Sequence, residues 1–338
     1  MKCIIFIDNI SSQGGSQTFC KHIAEVFFNL GNDVDICTIL KQKDNVPKNC
    51  FSLGLNRNYE IIFHLKKIKK IISHYDFVLV ISGQIFQYIH FVLDQNKTVF
   101  RESNDPYFRN SKLSYPKKIF INILYEIFLR RNNFLIIQNE EALQKIRLKH
   151  KNLTNTHLIS NPCFEPYKKN VKPFTHRKYM VASLSRDTWA KGNDQHETIY
   201  KSIKEKFLVL GNINEKSKIN IANITYISHV NEVRPLLENS RFLMLLSRIE
   251  GFPNVVHEAI QAGCYIIVSQ ELSWIKKEFS QFGEIIKIFK FERKDDVGSQ
   301  FREMIKEIDR PISSRIRYNI KKKYDPNEYV KRVCELNA

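Results

Sequence analysis

The sequence predicts an α/β protein made of two doubly wound, Rossmann-like domains. Its 338 residues exceed the roughly 100–200 residues of one ordinary domain. Short apolar runs of strand length alternate with helical patterns, and this alternation is typical of a parallel sheet with crossover helices. The alternation occurs twice, before and after a stretch at 161–173 that contains Pro and Lys. We interpret that stretch as the linker between the domains.

Ten apolar runs predict buried parallel strands. The first run ends at Asp8 after only five residues, so we interpret it as a strand and not as a signal peptide. After it, apolar residues at helical spacing predict a helix from Thr18 to Leu30 that Gly31 ends. The predicted strands are Cys3–Ile7, Val34–Leu40, Phe77–Ile81, Thr98–Phe100, Phe134–Ile137, Tyr179–Ser183, Phe207–Leu210, Ile224–Ile227, Phe242–Leu246 and Tyr265–Val268.

These elements predict an N-terminal domain at 1–165 and a C-terminal domain at 173–322. A last helix is predicted at 323–338, with Pro326 in its first turn. We expect that this helix can return to the N-terminal domain.

The composition limits the function classes. The net charge is +18, which favours a negatively charged partner or a lysine-rich solvated surface. The charge is spread along the chain, with 24 basic against 14 acidic residues in 1–170 and 29 against 21 afterwards. Without a basic arm or a known nucleic-acid motif, we predict no nucleic-acid partner. The seven scattered cysteines indicate a reduced cytoplasm and no metal site.

The segment from Phe242 to Gly263 carries the most specific pattern, a predicted strand, a tight loop and a helix. Gly251 permits a turn, and Pro253 fits a helix start. A helix start presents unpaired backbone N–H groups and the positive end of the helix dipole. The amides of Asn254 to Val256 are therefore candidates for holding a diphosphate.

Two glutamates, Glu250 and Glu258, flank seven residues in this segment, with Gly-Phe-Pro before the helix and Ala-x-x-Ala-Gly after it. This motif resembles the signature of glycosyltransferase family 4, whose members are retaining enzymes with the GT-B fold, in which two Rossmann-like domains face each other across a cleft. The resemblance implies that Glu250 contacts hydroxyls of the donor sugar and that Glu258 binds the ribose. Taken alone, Glu258 would be a first-turn acid that balances the helix dipole. The donor-binding residues implied in the same segment are Gly251, Phe252, Asn254, Val255 and Val256.

A second match follows the first strand of the C-terminal half, where Arg186 and Lys191-Gly192 have the family's separation of five positions. The resemblance implies that Arg186 and Lys191 hold the donor's diphosphate and stabilise the leaving nucleoside diphosphate. We therefore expect no metal ion and no cofactor. The alternative is a pair of solvated surface cations.

In the N-terminal half, Gln13-Gly14-Gly15-Ser16 follows the first strand, and its glycines allow a ligand close to the helix start. We predict that Gly14 and Gly15 bind the donor. Where the family often has a histidine, this chain reads Glu102-Ser103-Asn104. We predict that Glu102 is catalytic and that Ser103 and Asn104 lie on the acceptor side. His229 and His257 neighbour the C-terminal motifs, as ligand contacts or as structural residues.

The segment from Arg109 to Arg131 contains six cations around a strongly apolar centre. This composition suits an interfacial helix on an anionic membrane surface. Lys66, Lys67, Lys69 and Lys70 can add to the same face. The alternative is a core helix with charged ends.

The resemblance implies the following function. A sugar passes from a nucleoside-diphosphate sugar to a hydroxyl of a glycan or of a polyprenyl-diphosphate-linked glycan, with retention, in the biosynthesis of bacterial surface polysaccharide such as O-antigen or capsule. We expect a cytoplasmic protein, with peripheral attachment to the inner face of the cytoplasmic membrane. The alternative is a catalytically idle GT-B-like partner subunit of a polysaccharide-assembly complex.

Overall fold

The computed structural model describes residues 1–10, 14–42, 48–81, 83–102, 114–131, 133–150, 153–184, 189–211, 221–228, 232–291 and 297–336. The chain forms two compact units. Unit 1 consists of Met1–Pro162 and Tyr324–Ala338, and unit 2 of Cys163–Lys323. Each unit contains one parallel sheet and the helices that connect its strands. None of the helices in these ranges is long and apolar enough to cross a membrane.

Unit 1 is built on a seven-stranded sheet. Its strands are β1 Lys2–Ile7, β2 Asp33–Leu40, β3 Cys50–Leu55, β4 Phe77–Ile81, β5 Thr98–Arg101, β6 Phe134–Ile137 and β7 Thr156–Leu158. Its helices before the crossing to unit 2 are α1 Gly15–Asn29, α2 Leu65–Ile72, α3 Gly83–Ile89, α4 Tyr115–Arg130 and α5 Glu140–Lys149. The strand order is β3-β2-β1-β4-β5-β6-β7.

Unit 2 has a six-stranded sheet. Its strands are β8 Tyr179–Leu184, β9 Phe207–Leu210, β10 Ile224–Ile227, β11 Ser240–Leu245, β12 Tyr265–Ser269 and β13 Ile286–Phe289. Its helices are α6 Asn193–Ser202, α7 Arg234–Leu237, α8 Asn254–Gln261, α9 Ser273–Glu278, α10 Val297–Ile305 and α11 Ser314–Lys323. The strand order is β10-β9-β8-β11-β12-β13.

The last helix, α12 (Pro326–Glu335), belongs to unit 1. Asp325 caps it by accepting hydrogen bonds from the amides of Asn327 and Glu328. Tyr329 packs edge-on against Phe19 of α1, with 5.8 Å between the ring centroids. The contact joins the C-terminal end of the chain to the helix that follows the first strand.

The predicted helix after β1 is present, and its apolar stripe buries Phe19, Ile23 and Phe27 against the sheet. It begins at Gly15, three residues before the predicted start, because its first turn is polar and carries no apolar period. Gly31 follows the helix with φ of 81°, a left-handed conformation that glycine adopts without strain.

Each sheet reverses its strand order at one place. In unit 1 the reversal lies between β1 and β4, and in unit 2 between β8 and β11. Open α/β sheets bind ligands beyond the carboxyl ends of the strands at such a switch point. The loops that follow β8 and β11 carry the two motifs of the C-terminal half.

Candidate functional site

The loops after β8 and β11 meet at the carboxyl edge of the unit 2 sheet. The two strands pair in parallel, with Phe242 opposite Val181 and Met244 opposite Ser183. Neighbouring parallel strands end at the same edge, so residues far apart in sequence come together there. The first loop ends in a 3₁₀ turn, Trp189–Lys191, and the second runs from Leu246 to Pro253.

Lys191 and Glu250 form an ion pair across these loops, although they are 59 positions apart. The Lys191 Nζ donates to Glu250 Oε1 over 2.5 Å, and the side chains are 28% and 11% exposed. An ammonium has three N–H donors. Lys191 can therefore hold Glu250 with one of them and bind an oxygen of a ligand with another.

Gly192 lets the two backbones approach each other. Its φ is 67°, and a Cβ at this position would lie 2.0 Å from the Leu246 carbonyl oxygen. No other residue type fits there without displacing backbone. The Leu246 amide in turn donates to Nε2 of the buried His196, at 3.4 Å. Burial lowers the pKa of His196 to about 3, so the ring is neutral and Nε2 can accept.

Arg248 ties the second loop to the start of α6. Its guanidinium donates two hydrogen bonds to the Asp194 carboxylate, at 2.8 and 2.6 Å, and one to the Trp189 carbonyl at 2.8 Å. It also lies 4.7 Å from the centre of the Trp189 ring. The Arg248 backbone amide donates to the Ala190 carbonyl at 2.9 Å. The forked geometry of these bonds fixes the loop in place.

Glu258 lies within α8, on the other side of the second loop, and is half-buried. Burial raises the pKa of its carboxyl to about 7, and the nearby Glu165 carboxylate adds to this effect. Within the described part of the chain, no side chain or amide donates a hydrogen bond to this carboxylate. A ligand that brings hydroxyl donors would stabilise its ionised form.

The other residues predicted on this segment contribute backbone or core. The Phe252 ring is buried and stacks on His257, with 5.2 Å between centroids, and it also contacts Trp274 and Phe279. His257 is therefore a structural residue of an aromatic cluster. Val255 and Val256 are buried, Gly251 is buried and Asn254 is half-buried at the start of α8.

The Val256 amide already donates to the Pro253 carbonyl at 3.0 Å. A phosphate-binding role for the start of α8 therefore excludes this amide, although the sequence pattern included it.

In unit 1, Gly14 precedes α1 in an extended conformation, and its carbonyl accepts from the Thr18 amide. A Cβ added at Gly15 would meet no heavy atom within 4 Å, so packing does not require glycine there. Glu102 follows β5 and is only 3% exposed. Its amide donates to Ile136, and its carbonyl accepts from the Gln138 side chain.

Four predicted site residues lie outside the described residues: Gln13, Arg186, Ser103 and Asn104. His229 lies outside them as well. The assignments made for these residues stay predictions.

The sequence reasoning missed three residues that shape the site: Asp194, His196 and Arg248. None belongs to a motif, because their roles depend on contacts between loops that are distant in sequence. Asp194 carried a weak signal, since an acid in the first turn of a helix is usual.

Part of the chain matches a known family model. Residues 186–278, the stretch that contains Lys191, Glu250 and Glu258, match the model described as glycosyl transferases group 1. No curated protein matches the chain in sequence.

Solved structures match over nearly the whole chain at low identity. WaaG, described as a glycosyltransferase involved in lipopolysaccharide biosynthesis, has a TM-score of 0.71 and 13% identity over 99% of both chains. HepE of Anabaena, solved with UDP and glucose, has a TM-score of 0.71 and 11% identity over 99% of this chain and 98% of its own. WaaB, a lipopolysaccharide outer core galactosyltransferase, has a TM-score of 0.65 and 14% identity over 98% and 99%.

Each unit of this chain contains a parallel Rossmann-like sheet, and the solved structures align with nearly the whole chain. The chain thus has the GT-B glycosyltransferase fold, and its residues 186–278 match the group 1 glycosyl transferase model.

Proposed function

We propose that the protein is a retaining glycosyltransferase that takes its sugar from a nucleoside-diphosphate sugar. One observation carries the proposal. Lys191 lies in the loop after β8, Glu250 in the loop after β11 and Glu258 in the helix that follows it, all at the switch point of unit 2 and inside the stretch that matches the glycosyltransferase model. A cation and two carboxylates of this kind suit a ligand with phosphate at one end and hydroxyls at the other.

The roles follow from the surroundings of each group. Lys191 binds a diphosphate oxygen while it keeps Glu250 oriented toward the sugar hydroxyls. Glu258 accepts hydrogen bonds from the ribose, which supply the donors that its half-buried carboxylate lacks among the described residues. HepE was solved with UDP and glucose, a pair of molecules that this arrangement would suit.

The reaction proceeds without a metal ion in this proposal, because cationic side chains supply the charge that a departing diphosphate needs. Lys191 is the described cation at this position, and Arg186 is its predicted partner. The acceptor oxygen forms its bond to the anomeric carbon on the same face from which the β-phosphate oxygen departs, so the configuration is retained. The hydroxyl proton passes to that oxygen of the leaving nucleoside diphosphate. In unit 1, we propose that Glu102 is catalytic and that Gly14 and Gly15 contact the donor.

A thermal-shift screen of UDP-, GDP- and ADP-sugars tests the donor. We expect one nucleotide sugar to raise the melting temperature, since saturation at 100 Kd stabilises a protein by about 2.7 kcal/mol. Lys191→Met removes the phosphate contact, and we expect it to abolish the shift. Lys201→Met is the matched control, because Lys201 forms an equally short pair with Glu197 on the exposed side of α6. If no donor stabilised the protein, the idle partner subunit would be the better assignment.

We propose further that the acceptor is a glycan or a lipid-linked glycan of a surface polysaccharide, and that the protein works at the inner face of the cytoplasmic membrane. WaaG and WaaB are both described as lipopolysaccharide enzymes. The second line of support is α4, which is apolar on two faces.

One face of α4 packs into unit 1 and buries Ile121, Tyr125, Phe128 and Leu129. The opposite face exposes apolar side chains that are 38% to 76% accessible. They are Tyr115, Ile119, Phe120, Ile123 and Ile127. A core helix with charged ends would bury both faces, so the exposed one favours an apolar surface such as lipid. Arg130 and Arg131 at its end, and the exposed lysines of α2, suit anionic headgroups.

Flotation with liposomes of phosphatidylglycerol and phosphatidylethanolamine tests this surface. We expect binding at low salt, which Phe120→Ser with Ile123→Ser should weaken at least tenfold. Phe28→Ser is the control, because Phe28 is 69% exposed on α1, away from this face. Failure to float at low salt would contradict membrane attachment. Self-association that the α4 substitutions abolish would assign the face to a second copy of the chain instead.

A further inference from the structure

Trp189 is unusually exposed for its residue type. It stands in the 3₁₀ turn before α6 and is 53% accessible, whereas tryptophan is mostly buried in folded proteins. The only other tryptophan of the chain, Trp274, packs against Phe252 in the aromatic cluster beside α8. Burial in a core therefore does not explain why the loop carries a large aromatic ring.

A hydrogen-bonded cation contacts the ring. The Arg248 guanidinium lies 4.7 Å from the ring centre and is itself fixed by the two bonds to Asp194 and the one to the Trp189 carbonyl. Arg248 is only 15% exposed, although Asp194 is 63% exposed. A ring supported in this way loses less conformational entropy than an unsupported one when a ligand packs against its accessible surface.

The position of the ring limits what that ligand can be. Trp189 lies two residues before Lys191, and Lys191 bonds to Glu250. Arg248, which covers the ring, lies two residues before Glu250. The aromatic surface and the polar groups proposed for the sugar substrate therefore belong to the same pair of loops.

We propose that the accessible face of Trp189 is a stacking platform for the pyranose ring of a sugar substrate. One face of a pyranose is made of C–H groups, which pack on the electron-rich face of an indole, while its hydroxyls point sideways toward polar groups. The choice of a sugar rests on the proposed function. The ring belongs either to the donor's sugar or to the acceptor glycan, and the experiment separates these sources.

Trp274→Phe makes Trp189 the sole tryptophan, so its fluorescence reports on this ring alone. The probes are the nucleotide sugar that stabilises the protein in the thermal screen, the corresponding nucleoside diphosphate, and a panel of methyl glycosides. We expect a blue shift of the emission and at least twofold weaker acrylamide quenching with a sugar-bearing probe. A change with the nucleotide sugar assigns the donor's sugar, and a change only with a glycoside assigns the acceptor.

Two results would overturn the inference. One is an unchanged Trp189 signal with every sugar while the nucleotide sugar still raises the melting temperature. The other is a full change with the nucleoside diphosphate alone, which would place the base or the phosphates at the ring. If glycosides shift the signal although no nucleotide sugar stabilises the protein, the platform stands and the proposed function fails.

Kinetics give an independent check. We expect Trp189→Leu to raise the KM of the stacked substrate about 5- to 10-fold, as the loss of an aromatic contact does, with Trp189→Phe close to the parent protein. Phe28→Leu on α1 controls for the loss of an exposed aromatic ring. Equal KM values for Trp189→Leu and the parent protein would also count against the platform.

Discussion

Glu250 and Glu258 lie at the two ends of one loop-and-helix segment, and their carboxylates meet opposite surroundings. Glu250 receives a hydrogen bond from Lys191 at 2.5 Å, in a loop that Gly192 and Arg248 hold in place. Glu258 receives none from the described residues, and its pKa is raised to about 7. Among the described residues, one glutamate thus has a cationic partner and the other has no hydrogen-bond donor.

This difference suits two separate tasks, action on the reacting sugar and capture of the nucleotide. A group that acts on the reacting sugar has to be held in place before the substrate arrives, because misplacement costs rate. A group that captures the nucleotide can lack hydrogen-bond partners in the free protein, because the bound nucleotide then supplies donors that stabilise the buried carboxylate. We interpret the Glu250 loop as the preorganised region and the Glu258 helix as the receptive one.

The largest effect is expected at Gly192, the contact point of the two loops. Gly192→Ala brings a Cβ to 2.0 Å from the Leu246 carbonyl oxygen in a left-handed backbone conformation. We expect the free energy of unfolding to fall by about 3 kcal/mol and sugar transfer to fall at least 100-fold. Chemical denaturation and initial rates measure the two effects.

Gly31→Ala is the matched control for backbone strain. Its φ is 81°, but a Cβ there meets no atom within 4 Å. We expect a loss of about 1 kcal/mol and unchanged transfer. If Gly192→Ala behaved like Gly31→Ala, the close contact between the loops would be unimportant.

The two glutamine variants should change stability in opposite directions at pH 8. Glu250→Gln breaks the ion pair with Lys191, so we expect a melting temperature lower by a few degrees and a kcat reduced about 100-fold. Glu258→Gln removes a carboxyl whose pKa is higher in the folded protein than its ordinary 4.5. A raised pKa means that the folded state loses stability as the pH rises from 4.5 to about 7. We therefore expect this variant to melt above the parent protein at pH 8.

The stability difference for Glu258→Gln should shrink to a small fraction at pH 5 and vanish below the ordinary pKa of 4.5, where the parent carboxyl is protonated in both the folded and the unfolded state. Scanning calorimetry at both pH values measures it. A lower melting temperature for Glu258→Gln at pH 8 would show that Glu258 has protein partners like those of Glu250, and the contrast between the two would be lost.

The interior strands of both sheets were predictable from the sequence, and the edges mostly were not. Buried central strands such as β4 are continuous apolar runs. The strands β3, β7 and β13 were missed, and all three lie at sheet edges, where exposed polar positions interrupt the run. In β3, three of the six residues are exposed. An edge strand of this kind resembles a loop in a sequence.

The residues of the candidate site also fall into predictable and unpredictable ones. The spacing of residues in the sequence was enough to predict Glu250, Glu258 and Lys191. Arg248 and Asp194 interact over 54 positions, and nothing in the local pattern of either residue indicates the other. The burial of Phe252 was also unpredictable, because it depends on Trp274 in α9 and on Phe279, which follows that helix.

The smallest expected effect is a pH dependence of donor binding. It should depend on Glu258 and not on Glu250. Ribose hydroxyls that donate to Glu258 favour its ionised form, so binding strengthens as the pH rises through about 7. Calorimetric titration with a nucleotide sugar should show an affinity about tenfold higher at pH 8 than at pH 6, with proton release at pH 6. The phosphates of such a donor do not titrate in this range. Glu258→Gln should bind weakly and equally at both pH values, while Glu250→Gln should keep the full pH dependence. If the dependence followed Glu250 instead, the two glutamates would have exchanged the roles assigned to them.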